Sequence, residues 1–213
     1  MGEARPTLQP ADFATRRDLV LVDLRPTSER AEVGFLPASL SLPRSTWGDA
    51  EAPLAELAAL DDVSAIALYC TSGRRSLDAR AALEALSAIP VMNLEGGFLA
   101  WEAAGLPVCR VSKPPAEHPR SVLEYRRHLL ACFVGANAEL ALDQGARAEP
   151  YQMLLDCFER AGVPWEEPTI DGLYRVLDWA SIATFRAGGN LADIAENVGG
   201  MVAMLRALEQ ETS

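Results

Sequence analysis

The sequence predicts an α/β domain with a mainly parallel sheet flanked by helices, followed by a second, all-helical domain. Three observations predict this. Short apolar runs alternate with short helix-forming stretches in the first half of the 213 residues, the signature of strands joined by crossover helices. Prolines cluster at Pro114, Pro115 and Pro119, which marks a boundary. Beyond them come long runs with apolar residues three and four apart, the pattern of helices that bury one stripe. The expected division is residues 1–112, a Pro-rich linker at 113–120 and a helical bundle at 121–213.

Residues 8–18 read as a short helical lead-in. Leu19–Leu24 is apolar and free of breakers until Pro26, and reads as the first strand. Thr27–Glu32 reads as a helical turn capped by Thr27 or Ser28. A short strand is expected near Ser39–Leu42. Residues 44–62 form a connection in which Pro53–Leu60 has helix propensity, with Pro53 suited to a first turn. Ala65–Tyr69 is a buried strand. Ser76–Leu86, rich in Ala and Leu, is a helix. Pro90–Leu94 is a strand, Gly96-Gly97 a turn and Phe98–Ala104 a short helix. After the linker, helices are expected at Ser121–Asp143, Glu149–Ala161, Thr169–Arg186 and Leu191–Leu208. In the last, Leu191, Ile194, Val198, Met201, Leu205 and Leu208 make one stripe, and the four form a small antiparallel bundle.

The stretch that carries chemistry is Cys70-Thr71-Ser72-Gly73-Arg74-Arg75-Ser76. Cys70 leaves a strand and enters a tight loop that feeds a helix. Loop amides and the free amides of a helix start point at what such a loop encloses. Gly73 lets the loop curl, and Arg74 and Arg75 add positive charge. A thiol so placed has a lowered pKa. A core cysteine is the ordinary alternative, but Thr, Ser, Gly and two Arg do not pack a core.

This loop resembles the active-site loop of the rhodanese family, whose usual form is Cys-Arg-Ser-Gly-x-Arg-Ser. Four further stretches resemble the family in the same order. Leu21-Val22-Asp23-Leu24-Arg25 matches its Asp-Val-Arg strand. Gly34-Phe35-Leu36-Pro37-Ala38-Ser39-Leu40 matches its Gly-His-Ile-Pro-Gly-Ala segment. Leu94-Glu95-Gly96-Gly97-Phe98-Leu99-Ala100-Trp101 matches its Leu-x-Gly-Gly-x-x-x-Trp signature. Gly105-Leu106-Pro107 matches its closing Gly-x-Pro. The resemblance covers residues 8 to 110 and does not reach the helical domain.

The resemblance implies a sulfurtransferase. Cys70 would take a sulfane sulfur from thiosulfate or a persulfide donor, hold it as a persulfide and pass it to a thiol or cyanide. Cys70 and Arg75 are the implied catalytic pair, with Arg75 orienting the anion and offsetting charge on departing sulfite. Thr71, Ser72, Gly73, Arg74 and Ser76 complete the substrate-binding set, the loop amides cradling the outer sulfur and Ser76 serving mainly as a helix cap. Asp23 and Arg25 are expected to support the loops by a salt bridge or hydrogen bonds. Gly96 and Gly97 are expected to close one wall of the pocket, with Trp101 in the core. Trp47 can be assigned to surface, core or rim. No cofactor and no metal are expected.

The sequence departs from the pattern at Thr71, where the family has Arg, at Phe35, where it has His, and at Ala38, where it has Gly. The loss of a charge at position 71 favours a thiol or protein persulfide donor over an anionic one. Two rivals exist. Cysteine phosphatases and arsenate reductases place five residues between Cys and Arg; here four separate Cys70 from Arg75, and Ser76 stands at the next position. The other rival is a sulfur-carrying or regulatory module whose helical domain binds a partner protein. That domain is otherwise assigned to dimerisation, to docking an acceptor, or to covering Cys70.

Net charge is −11 and the pI about 4.7, which argues against nucleic acid and acidic lipid surfaces. Both halves are acidic, so Arg74 and Arg75 are a local focus for an anion. Met1–Pro6 has no apolar signal region and no run is long enough to span a membrane, so the expected location is the cytoplasm. Cysteines stand at 70, 109, 132 and 157 and histidines at 118 and 128, with no metal-ligand spacing. Cys132 and Cys157 are expected to be small apolar fillers, and His128 a helix residue without a catalytic role. Glu139, Asp143, Glu166, Glu167, Asp171 and Asp178 are expected to be solvated. A sulfur relay from Cys70 to Cys109 is a further possibility: Cys109→Ala would then slow delivery but not loading.

Overall fold

In the computed structural model, which describes residues 7–47, 57, 63–85, 87–144 and 149–212, the two breaker-free apolar pentapeptides lie near the middle of a five-stranded sheet. The strands are β1 (Thr7–Leu8), β2 (Leu19–Asp23), β3 (Ser39–Ser41), β4 (Ala65–Tyr69) and β5 (Val91–Leu94), in the order β1-β5-β4-β2-β3. Every pairing is parallel. All residues of β2 and β4 are buried, as a strand covered on both faces must be, which is why they read as continuous apolar runs rather than alternating ones. In their shared register Leu21 stands beside Ala67 and Asp23 beside Tyr69. The carboxyl end of β2 therefore meets the residue before Cys70.

The helices of this part are α1 (Pro10–Phe13), α2 (Thr27–Val33), α3 (Arg74–Glu84) and α4 (Gly97–Ala103), with a 3₁₀ turn at Arg44–Thr46. Three expectations need correction, and the open assignment of Trp47 is decided. The lead-in at 8–18 is helical only at Pro10–Phe13, and Thr7–Leu8 adds a strand beside β5. Neither Thr27 nor Ser28 caps α2; Pro26 holds that position and no side chain makes the cap. α3 begins at Arg74 rather than Ser76, because Gly73, at φ 84, turns the chain into the helix. Trp47 is core, 5% exposed, with Arg44 stacked over its ring at 4.8 Å. The helix expected at Pro53–Leu60 lies outside the described residues except for Leu57, which is buried. Ala38, at φ 55, is an L-residue in the left-handed region where the family pattern has Gly; that conformation costs about 1–2 kcal/mol.

The chain divides into two compact units between Val108 and Cys109, which places Lys113–Arg120 in the second. The second unit is largely helical: α5 (Val122–Gln144), α6 (Pro150–Arg160), α7 (Ile170–Arg186) and α8 (Leu191–Thr212). α6 packs on α5 and α7, α8 on α7, and α5 also meets α7 and α8. All six members of the α8 stripe are buried. The buried Tyr125 hydroxyl donates to the Met201 carbonyl at 3.1 Å, tying α5 to α8. Gly199 has a packing reason: a Cβ there would stand 2.4 Å from the Arg110 carbonyl oxygen. Gly199→Ala is therefore expected to lower the stability of this unit by about 1–3 kcal/mol through overpacking, measured as a loss of amide-exchange protection along α8. No helix among the described residues is long and apolar enough to cross a membrane.

Candidate active site

β4 delivers Cys70 to the carboxyl end of the sheet, and Gly73 closes the loop by turning it into α3. Cys70 is 1% exposed, but its surroundings are polar. The Ser76 hydroxyl donates to Cys70 Sγ at 3.6 Å and lies 3.2 Å from the Gly73 carbonyl. The backbone amides of Ser76, Ser72 and Gly73 also favour the thiolate form of the sulfur. Burial pushes the thiol pKa up, but these four groups outweigh it and hold the thiol below its ordinary value. Ser76 thus faces the sulfur rather than capping the helix. Replacing it with alanine removes one donor to the thiolate, so Ser76→Ala is expected to move the pH midpoint of Cys70 alkylation upward. Alkylation of the Cys70 peptide followed by mass against pH checks this.

The loop is held in this shape from below by α4. The Phe98 N–H donates to the Cys70 carbonyl at 2.9 Å and the Leu99 N–H to the Thr71 carbonyl at 3.0 Å. With its carbonyls turned toward α4, the loop has its amides free for the sulfur. Gly97, at φ 60, lies so close that a Cβ would stand 2.3 Å from the Cys70 carbonyl oxygen. Gly97 is therefore a seat for the loop backbone.

Beneath the loop lies a buried polar cluster. Arg25 donates from Nε to Asp23 Oδ1 at 2.9 Å, from Nη2 to Asp23 Oδ2 at 2.7 Å and from Nη2 to the Gly34 carbonyl at 3.0 Å. The Tyr69 hydroxyl donates to Asp23 Oδ2 at 2.6 Å and accepts from the Leu36 N–H at 3.2 Å. The Arg25 guanidinium lies over the Phe98 ring at 4.5 Å. Burial and the Asp23 charge push the Tyr69 hydroxyl far above its ordinary pKa. Asp23 and Arg25 thus tie β2, β4 and α4 together at the base of the loop.

Arg75 donates from both terminal nitrogens to Glu29 of α2, each at 2.8 Å, and from Nη2 to Thr71 Oγ1 at 2.9 Å. Thr71 Oγ1 donates in turn to Glu29 Oε2 at 2.7 Å. Hydrogen bonding to Glu29 holds Arg75 above its ordinary pKa, and the nearby Cys70 thiolate charge adds to this. Arg74 and Ser72 are exposed. Glu29 was not among the expected site residues. The only signal for it is its place one turn into a helix that follows the Asp23–Arg25 strand end.

Residues 10–104 match the sequence profile of the rhodanese-like domain. A protein of Allochromatium vinosum described as a sulfurtransferase is 37% identical over 96 residues, 45% of this chain and 83% of that protein. The chain belongs to the rhodanese-like domain family. A Synechocystis sp. protein described as uncharacterized is 34% identical over 104 residues, and the match spans 49% of this chain and 54%, about half, of that relative. Among solved structures, a protein of unknown function from Rhodopseudomonas palustris, titled a possible tyrosine phosphatase, shares 33% identity over 49% of this chain and 84% of its own, with a TM-score of 0.43. The thiosulfate sulfurtransferase of Pseudomonas aeruginosa shares 29% identity over 49% of this chain and 19% of its own, with a TM-score of 0.41. The profile match ends at the rhodanese-like domain and leaves the helical unit outside it.

In that unit two expectations are corrected. Cys132 is exposed, with Sγ 3.5 Å from His128 Nε2 one turn away, rather than a buried filler. Asp178 is buried rather than solvated. Cys109 and Cys157 are buried, and burial pushes the Cys157 thiol up to about 12. Glu139 and Asp143 lie outside the described side chains. An apolar cavity of about 280 Å³ lies among α5, α7 and α8, lined by Leu129, Phe133, Leu177, Val198 and Met201 with Cys132 beside them. Among the described residues no group of three or more His, Cys, Asp or Glu could hold a metal ion.

Proposed function

We propose that the rhodanese-like domain is a sulfurtransferase that carries sulfur as a persulfide on Cys70. The observation that carries this reading is the Ser76 hydroxyl donating to the Cys70 sulfur at 3.6 Å, with the amides of Ser72, Gly73 and Ser76 also favouring its thiolate. The thiolate attacks the outer sulfur of the donor. A new S–S bond forms, the donor's own S–S bond breaks, and its electron pair leaves on sulfite or on a thiolate. An acceptor thiolate or cyanide then attacks the outer sulfur and Cys70 leaves as thiolate. The step is redox-balanced without a cofactor, and splits one transfer into two. The donors that hold the thiolate also suit the anionic outer sulfur of the persulfide. A loop of four residues between Cys70 and Arg75 suits one sulfur atom better than a tetrahedral oxyanion.

Intact mass tests this. Incubation with thiosulfate or glutathione persulfide is expected to add one sulfur, about 32 Da, that Cys70→Ala cannot take up and that cyanide removes as thiocyanate. Turnover of p-nitrophenyl phosphate dependent on Cys70, with no sulfur uptake, would make the domain a phosphatase instead.

A further inference from the structure

Arg75 is the cation expected to meet an anionic donor, yet both its terminal nitrogens are engaged by Glu29. Thr71, at the position where the family pattern has a second cation, completes the arrangement by donating to Glu29 and accepting from Arg75. The side chains of Arg75 and Glu29 are 43% and 36% exposed, whereas Cys70 is buried. So the pair stands on the solvent side of the sulfur. Instead of two cations at positions 71 and 75, the chain carries at these two positions one cation, already matched by a carboxylate.

We infer that Glu29 is a specificity-determining residue: it occupies on Arg75 the place of an anionic donor, selecting against dianions such as thiosulfate and for persulfides carried on a thiol. The reaction in which it acts rests on the sulfurtransferase reading; its electrostatic effect on Cys70 does not. To reach the sulfur with Arg75 as its ligand, a dianion must displace Glu29 and then face both the freed carboxylate and the Cys70 thiolate. A persulfide R–S–SH presents its outer sulfur with at most one charge. Attack by Cys70 forms the new S–S bond, breaks the old one and releases R–S⁻, which takes up the proton.

Glu29→Gln keeps the length and the acceptor and removes the charge. The first readout needs no sulfur chemistry: alkylation of Cys70 by anionic iodoacetate and by neutral iodoacetamide, followed on the Cys70 peptide by mass. The iodoacetate-to-iodoacetamide rate ratio is expected to rise about tenfold in Glu29→Gln at low ionic strength, and by less in ~1 M salt. Thr71→Arg, which adds a cation, gives up the Thr71 hydrogen bond to Glu29 and keeps the Glu29 carboxylate, is expected to move the ratio the same way. The second readout is kcat/KM for thiosulfate relative to glutathione persulfide, expected to rise in both variants through a lower thiosulfate KM. If both reagents slow together and neither ratio moves, Glu29 only props Arg75 and the inference is overturned. If the alkylation ratio rises but neither donor loads Cys70, anion exclusion by Glu29 is supported and the sulfurtransferase reading is what fails.

Discussion

Gly97→Ala is expected to reduce sulfur loading of Cys70 by at least about 100-fold, the factor that misplacing a reacting group by an ångström can cost, while the second unit stays folded. The added methyl would stand 2.3 Å from the Cys70 carbonyl oxygen, 2.8 Å from the Gly73 nitrogen and 3.0 Å from the Thr71 carbonyl oxygen. All three are backbone atoms, so no side chain can swing aside. The loop must lift from α4, and the Phe98 and Leu99 amides then lose the carbonyls they bind. Freed carbonyls beside the sulfur would oppose the thiolate. Gly105→Ala is the control. Gly105 has a similar φ of 69 but nothing within 4 Å of its would-be Cβ, so it carries only the left-handed strain of about 1–2 kcal/mol. Loading measured by intact mass should separate the two variants, and equal losses would mean that strain rather than the clash decides.

The same loop shows how far the residues could be read in order. A buried strand running into Cys, Thr, Ser, Gly and Arg is a local pattern, and local patterns place Cys70, Gly73 and the parallel sheet correctly. A helix that starts at Ser76 makes capping the natural role for its hydroxyl. The true start at Arg74, set by the positive φ of Gly73, rotates Ser76 inward onto the sulfur. Glu29 lies 46 residues from Arg75 on a stretch that reads only as a helical turn, and the two meet only in the folded chain. Thr7–Leu8 is too short for any periodicity to reveal; its strand exists because β5 offers an edge. In the helical unit the α8 stripe is periodic and was legible. The burial of Asp178 and the exposure of Cys132 depend on how helices turn against one another, which composition does not encode.

Arg25→Met is the substitution expected to cost the rhodanese-like domain most stability, about 3–5 kcal/mol. Arg25 and Asp23 are both 0% exposed. Removing the guanidinium strands a carboxylate in the interior, with the Tyr69 hydroxyl still bound and Arg30 Nη1 at 3.7 Å. A buried carboxylate left with one hydroxyl and a more distant cation recovers much less of its desolvation cost. The Gly34 carbonyl also loses its donor, and Phe98 loses the cation over its ring. For a unit of this size the melting point should fall by at least about 12 °C, at ~4–8 °C per kcal/mol. Because the chain has two compact units, the effect is best read from amide exchange along β2 and β4, which reports this unit alone. Adding Asp23→Asn removes the stranded charge while leaving an acceptor for Tyr69, so the double variant should be more stable than Arg25→Met by about 1–2 kcal/mol. That recovery is what separates a charge effect from lost packing: methionine fills much of the arginine's volume in either background. A double variant no more stable than the single one would assign the whole loss to packing over Phe98. Since Tyr69 is the residue before Cys70, the same cluster that stabilises the sheet also fixes where the sulfur leaves it.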